Sequence, residues 1–125
     1  METFWWVTGG IAATYTFVAG LQLYALLGKY RLSVSKANQK IKNGNIRHVI
    51  DVRTDLEWKA GHYHDAIHIP IATIPKNKKL KNIPKSSTLL VYCNTGQRAR
   101  RAAELLRKDG YQNVYYIAES YRSLN

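Results

Sequence analysis

The chain has 125 residues, 46% of them hydrophobic, with a formal charge of +11 and a single cysteine. That length suits one domain of ordinary size, and one thiol excludes an intramolecular disulfide. The basic surplus is split between the stretch after residue 28, residues 75–85 and the segment after Cys93. No nucleic-acid motif accompanies it, so no specific nucleic-acid partner is expected.

No Asp, Glu, Lys, Arg or His lies between Thr3 and Gly28. At about 1.5 Å rise per residue, roughly twenty helical residues cross a bilayer core, which predicts a membrane-spanning helix over residues 4–27. Trp5 and Trp6 near one end, and Tyr24 and Tyr30 near the other, suit the two interfaces. A cleaved leader would start basic and end in small residues; this run starts at Met1, Glu2 and closes in "LYALLGKYR". Thr8, Thr14, Thr16 and Gln22 interrupt it, though hydroxyls can bond back to the helix backbone. Lys29, Arg31, Lys36, Lys40 and Lys42 follow the run and only Glu2 precedes it. The positive-inside tendency therefore predicts a single-pass protein with its carboxy-terminal domain in the cytoplasm. The expected division is an anchor with its juxtamembrane start, 1–30, and a domain over 31–125. The juxtamembrane cations would be drawn to an anionic leaflet, and 75–85 reads as a solvated basic face.

Residues 29–36 read as a linker running into a strand or a helix cap, with Ser35 able to cap "KANQKIKN" and Gly44 to end it. "RHVIDV" (47–52) is a β-branched run typical of a buried strand. Thr54, with Glu57 three residues on, forms a capping box for one helical turn ending at Gly61. A second short strand, "AIHIPI" (66–71), stops at Pro70. Residues 72–85 carry Pro75 and Pro84 and are expected to be irregular or a short helix. "STLLVYC" (87–93) is apolar throughout, as a strand covered on both faces would be. In "ARRAAELLRKDG" (99–110), Ala99, Ala102, Ala103 and Leu106 make a buried helical stripe that Gly110 ends. "NVYYIA" (113–118) supplies a last strand. Strands alternating with helical pieces predict an α/β fold with a mainly parallel central sheet flanked by helices.

In such sheets ligands sit beyond the carboxyl ends of the strands, and Cys93 lies at one of those ends. If residues 94–98 curl around its sulfur, their amides form an anion-binding nest. The following helix turns its positive end the same way, and Arg98 adds a full charge. Each of these favours the anionic, nucleophilic sulfur. The alternative is a small apolar core residue, as free cysteines often are. His62, His64 and His68 have no acidic or cysteine partner that would complete a metal set, so no metal and no cofactor are expected.

"VIDVRTDLEWKAGHYHDAIHIPI" and "LLVYCNTGQRARRAAELLRKDGYQNVYYI" together resemble a single-domain rhodanese, a sulfurtransferase. The resemblance covers residues 33–118, with "DVR" at 51–53, "AGH" at 60–62 and the cysteine loop at 93–98 in order. It implies that Cys93 takes a sulfane sulfur from thiosulfate or a persulfide and passes it to a thiol or other nucleophilic acceptor. It also implies that Asn94, Thr95, Gly96, Gln97 and Arg98 hold the substrate. Asp51 and Arg53 match a structural pair near the loop, although Arg53 also reads as a surface cation. Glu57 and His62 match positions that set the chain beside the site, with a structural role for His62 equally open. Six residues from Cys93 to Arg98 match the sulfur-handling members; phosphatase and arsenate-reducing relatives have one more.

There are departures. Tyr63, His64, Asp65 and Ala66 stand where Ile-Pro-Gly-Ala is usual, so His64 and Asp65 must make the turn. "YIAESYRSLN" lacks the usual Glu-Gly-Gly turn, which normally packs near the loop. Asn94 replaces a frequent arginine, predicting a weaker pull on thiosulfate. A membrane-tethered sulfur carrier is the leading reading. The rival is a catalytically weak or silent interaction module that recruits a membrane partner.

Overall fold

The computed structural model describes residues 2–125, with side chains described from Gly9 onward. Four strands build one sheet: β1 (His48–Asp51), β2 (Ala66–His68), β3 (Thr88–Tyr92) and β4 (Asn113–Tyr116), in the order β2-β1-β3-β4. All three pairings are parallel. The helices are α1 (Glu2–Leu26), α2 (Val34–Lys42), α3 (Asp55–Ala60) and α4 (Gln97–Lys108).

Alternation along β3 sorts the core into two layers, because successive strand side chains point to opposite faces. Leu89 and Val91 join the α4 stripe of Ala99, Ala102, Ala103 and Leu106. Leu90 and Tyr92 join Ala37 of α2, Ile46, Val49 and Leu124 on the other side. Register puts Ile50, Val91 and Tyr116 side by side across three strands within the first layer. Each fully covered Leu or Ile contributes about 1.5–3 kcal/mol, so the two layers, not local propensity, hold these short strands.

The local signals form largely as the sequence predicts. Thr54 accepts from the Glu57 amide while Glu57 accepts from the Thr54 amide, completing the capping box of α3. Gly61 ends that helix at φ 148°, a backbone angle that side chains disfavour. Residues 71–85 hold two 3-10 turns, Ile71–Thr73 and Lys78–Asn82. The cap of α2 is Ser33 rather than Ser35: its hydroxyl accepts from the Lys36 amide at 3.2 Å, and Ser35 falls inside the helix. His64 and Asp65 turn the chain without a positive φ, the Ala66 amide bonding to the Tyr63 carbonyl.

The anchor expected over residues 4–27 is not supported. Among the described residues no helix is long and apolar enough to cross a membrane. Thr14 and Thr16 bond back to the carbonyls of Gly10 and Ala12, yet these residues, Gln22 and the glycines dilute the apolar run. The two tyrosines assigned to an interface are engaged by the domain. Tyr24 lies 3.9 Å from the Arg100 guanidinium and bonds Glu104; Tyr30 lies 3.2 Å from that of Arg107. The side chains of Trp5 and Trp6 lie outside the described residues. The last turn of α1 docks on the sheet edge through buried Ala25, whose carbonyl receives the Tyr116 hydroxyl at 2.6 Å. Beyond it, Tyr30 and Leu32 bond to Tyr116 and cover the outer edge of β4.

Candidate functional site

Cys93 follows β3 directly, where the chain leaves the sheet and turns into α4. Its sulfur accepts from the Gly96 amide at 3.1 Å and the Ala99 amide at 3.3 Å. The nest is thus narrower than expected: of the amides of 94–98 only that of Gly96 donates, and the second donor, Ala99, lies one residue beyond that span. Gly96 adopts φ 102°, and a Cβ there would lie 2.7 Å from the Ala118 Cα and 3.0 Å from the Ala25 Cβ. Glycine is therefore required twice, for the angle and for the space. Cys93 itself is 1% exposed, beneath the exposed Asn94 and Thr95.

Beneath the loop lies a buried ion pair. The Asp51 carboxylate accepts from the Arg53 amide, Nε and Nη2, and from the Tyr92 hydroxyl at 2.6 Å. Arg53 also donates to the Gly61 carbonyl at 2.6 Å, and its guanidinium lies 4.9 Å from the Tyr121 ring. The reading of Arg53 as a surface cation is thereby corrected, since it is buried and spoken for at every edge. Burial, and then donation to Asp51, pushes the Tyr92 hydroxyl far above the ordinary tyrosine range.

A polar chain links this pair to the loop. Arg53 reaches Asn94 at 3.5 Å, Asn94 donates to Glu57 at 2.6 Å, and Arg98 grips Glu57 with both terminal nitrogens at 2.7 and 2.9 Å. Those bonds from Arg98 hold the Glu57 carboxyl well below the usual range, against partial burial that pulls it up. Thr95 donates to Gln97 within the loop. The structure thus brings Asp51, Arg53, Glu57 and residues 93–98 together. His62 stays outside: its ring is exposed, stacks on Trp58 at 3.4 Å and bonds the Trp58 carbonyl, so its part is to brace α3.

Four contributors were missed. Tyr92 reads as a core residue in an apolar strand, and only the adjoining Asp51 hinted at its bond. Ala118, in the tail that lacks two glycines, seats Gly96, while Tyr121 covers Arg53. Ala25 reaches the loop from α1, and no sequence signal announces a contact 71 residues away in number (96 minus 25).

An all-parallel α/β domain with one thiol on a strand-to-helix loop, held by backbone amides, defines the class. Residues 33–125 match the rhodanese-like domain, and the chain belongs to the rhodanese-like family. It is 31% identical over 96 residues to a tRNA uridine(34) hydroxylase of Buchnera aphidicola, covering 73% of this chain and 30% of that protein. The counterpart from Erwinia tasmaniensis is 32% identical over 72 residues, with 54% and 21% covered. The chain thus spans about a fifth to a third of the length of these relatives. Human single-domain sulfurtransferase TSTD1 has the same fold, with a TM-score of 0.65 at 23% identity over 77% of this chain and 95% of its own. SSP1007 of Staphylococcus saprophyticus gives 0.64 at 26% identity, over 76% and 92%.

Proposed function

We propose that the protein is a sulfane-sulfur transferase that carries sulfur as a Cys93 persulfide. The observation that supports this is the pair of amides, Gly96 and Ala99, aimed at one sulfur from the start of a helix. The Cys93 thiolate attacks the outer sulfur of a donor, the donor's S–S bond breaks, and a new S–S bond forms on Cys93. In the second half, an acceptor thiolate takes that outer sulfur and Cys93 leaves as thiolate. No second cysteine can resolve the persulfide within the chain, so the sulfur must pass to another molecule. The six residues from Cys93 to Arg98 also match the length of the sulfur-handling relatives, one shorter than that of phosphatase relatives.

One observation favours a second reading, a rhodanese-like interaction module without turnover: Cys93 is almost wholly covered. Mass measurement without reductant separates the two. Incubation with polysulfide should add one sulfur atom to the wild type and none to Cys93→Ser. A folded wild type that gains no sulfur from thiosulfate, polysulfide or an alkyl persulfide refutes the transferase and supports the module.

A further inference from the structure

The arginines that border the cysteine loop are each matched by a carboxylate. Arg98, the charged side chain within residues 93–98, is held by Glu57 at 2.7 and 2.9 Å. Arg53 below is held by Asp51 and the Gly61 carbonyl. At the edges, Arg100 pairs with Glu104 at 3.0 Å and with the Tyr24 carbonyl, and Arg31 pairs with Glu119 at 2.9 Å. Glu119 adjoins Ala118, the residue that seats Gly96. Four arginines on the loop, beneath it and at its flanks are thus each paired with a carboxylate, in a chain whose formal charge is +11.

Asn94 is neutral and spends its amide on the same Glu57 carboxylate at 2.6 Å. A small dianion approaching the loop therefore meets Glu57 beside the one guanidinium that would receive it. To bind there it must displace Glu57 from a two-point, charge-assisted pair, which is among the stronger polar contacts a protein makes.

We infer that Glu57 sets donor specificity, directing the site to persulfides carried on thiol compounds or protein cysteines and away from thiosulfate. This rests on the sulfur-transfer reading. Both donors deliver the same atom. With an alkyl persulfide, Cys93–S⁻ and R–S–SH become Cys93–S–SH and R–S⁻. With thiosulfate, the sulfane sulfur moves to Cys93 and sulfite departs with the electron pair of the broken S–S bond. Neither transfer needs an oxidant or reductant. They differ in the charge that must be seated, and a doubly charged donor suffers most from a carboxylate at the mouth.

The experiment compares loading of Cys93 from thiosulfate and from 2-hydroxyethyl persulfide, followed by mass in the full chain. The wild type should load from the persulfide at least about tenfold more efficiently. Glu57→Gln keeps one oxygen for Thr54 and the Arg98 Nη1 bond, and removes the charge together with the oxygen that accepts from Arg98 Nη2 and Asn94. It should raise the ratio of thiosulfate to persulfide efficiency about tenfold, chiefly through a lower half-saturating concentration of thiosulfate. A purely structural role for Glu57 would lower loading from both donors together, and that outcome overturns the inference. So does equal use of the two donors by the wild type. If circular dichroism shows Glu57→Gln to be unfolded, Asn94→Arg adds a cation beside the intact carboxylate and should move the donor ratio the same way; an unmoved ratio overturns the inference. Loading from neither donor overturns the sulfur-transfer reading and this inference with it.

Discussion

Gly96→Ala strikes the point where three elements meet. The substitution keeps every polar group and adds one methyl at φ 102°, where an L residue loses about 1–2 kcal/mol. The methyl would sit 2.7 Å from the Ala118 Cα, a backbone atom that cannot rotate away, and 3.0 Å from the Ala25 Cβ. Forced shifts of this kind in packed interiors cost roughly 1–3 kcal/mol more. The sum, about 2–5 kcal/mol, would be a large share of a small domain's stability. The clash also pushes the Gly96 amide, the nearer donor, off the Cys93 sulfur. Urea unfolding should show a lowered midpoint with an unchanged slope, and polysulfide loading of Cys93 should fall even where the variant is folded. A Gly96→Ala protein with wild-type stability and wild-type loading would refute both the assigned loop geometry and the role of the amides.

Further outcomes follow from the polar contacts. Arg53→Ala leaves the Asp51 carboxylate buried without its partner, and urea unfolding should register a loss of about 3–5 kcal/mol. Tyr92→Phe removes the bond to that carboxylate and the acceptor of the buried Tyr63 amide, and should cost about 1.5–3 kcal/mol by the same measurement. Because the Glu57 carboxyl is depressed in the folded chain, its contribution is fully present above the ordinary carboxylate value of about 4.3 and fades as pH falls below it. The stability gap between the wild type and Glu57→Gln should therefore stay constant from pH 7 to about 5 and shrink in more acid solution; a gap that widens there would contradict the assigned pair. Tyr116→Phe releases the Ala25 carbonyl, and amide exchange should quicken in the last turn of α1 relative to α4.

Where the sequence predicted well, one local rule and the tertiary context agreed. Thr54 and Glu57 needed only each other to cap α3, and the alanine stripe of α4 was legible because nothing but the sheet could cover it. The strand-loop-helix passage at Cys93 was legible for the same reason, with an apolar run, a glycine and a helical period in succession. The misplaced cap of α2 came from two serines two positions apart, both able to accept from an amide. The choice fell to Ser33 because Ala37 must point into the second core layer. The seat of the first helix against the domain was not legible, because hydropathy reports how apolar a segment is and not what touches it. Tyr24, Ala25 and Tyr30 are committed to Arg100, Tyr116 and Arg107, and such distant pairings leave no periodic trace. Glu57 was legible as a cap, but its grip on Arg98 required the spatial meeting of α3 and α4.

The manner in which the sheet ends also bears on how the molecule behaves in company. Along β4 the outward backbone groups of Tyr116 are already taken by Tyr30 and Leu32. At the opposite margin β2 offers just three residues, and the Lys79 ammonium sits on the His68 carbonyl at 2.9 Å. Little ladder remains on either side for a foreign strand to extend, so concentrated solutions of the native domain should resist fibril growth by strand addition.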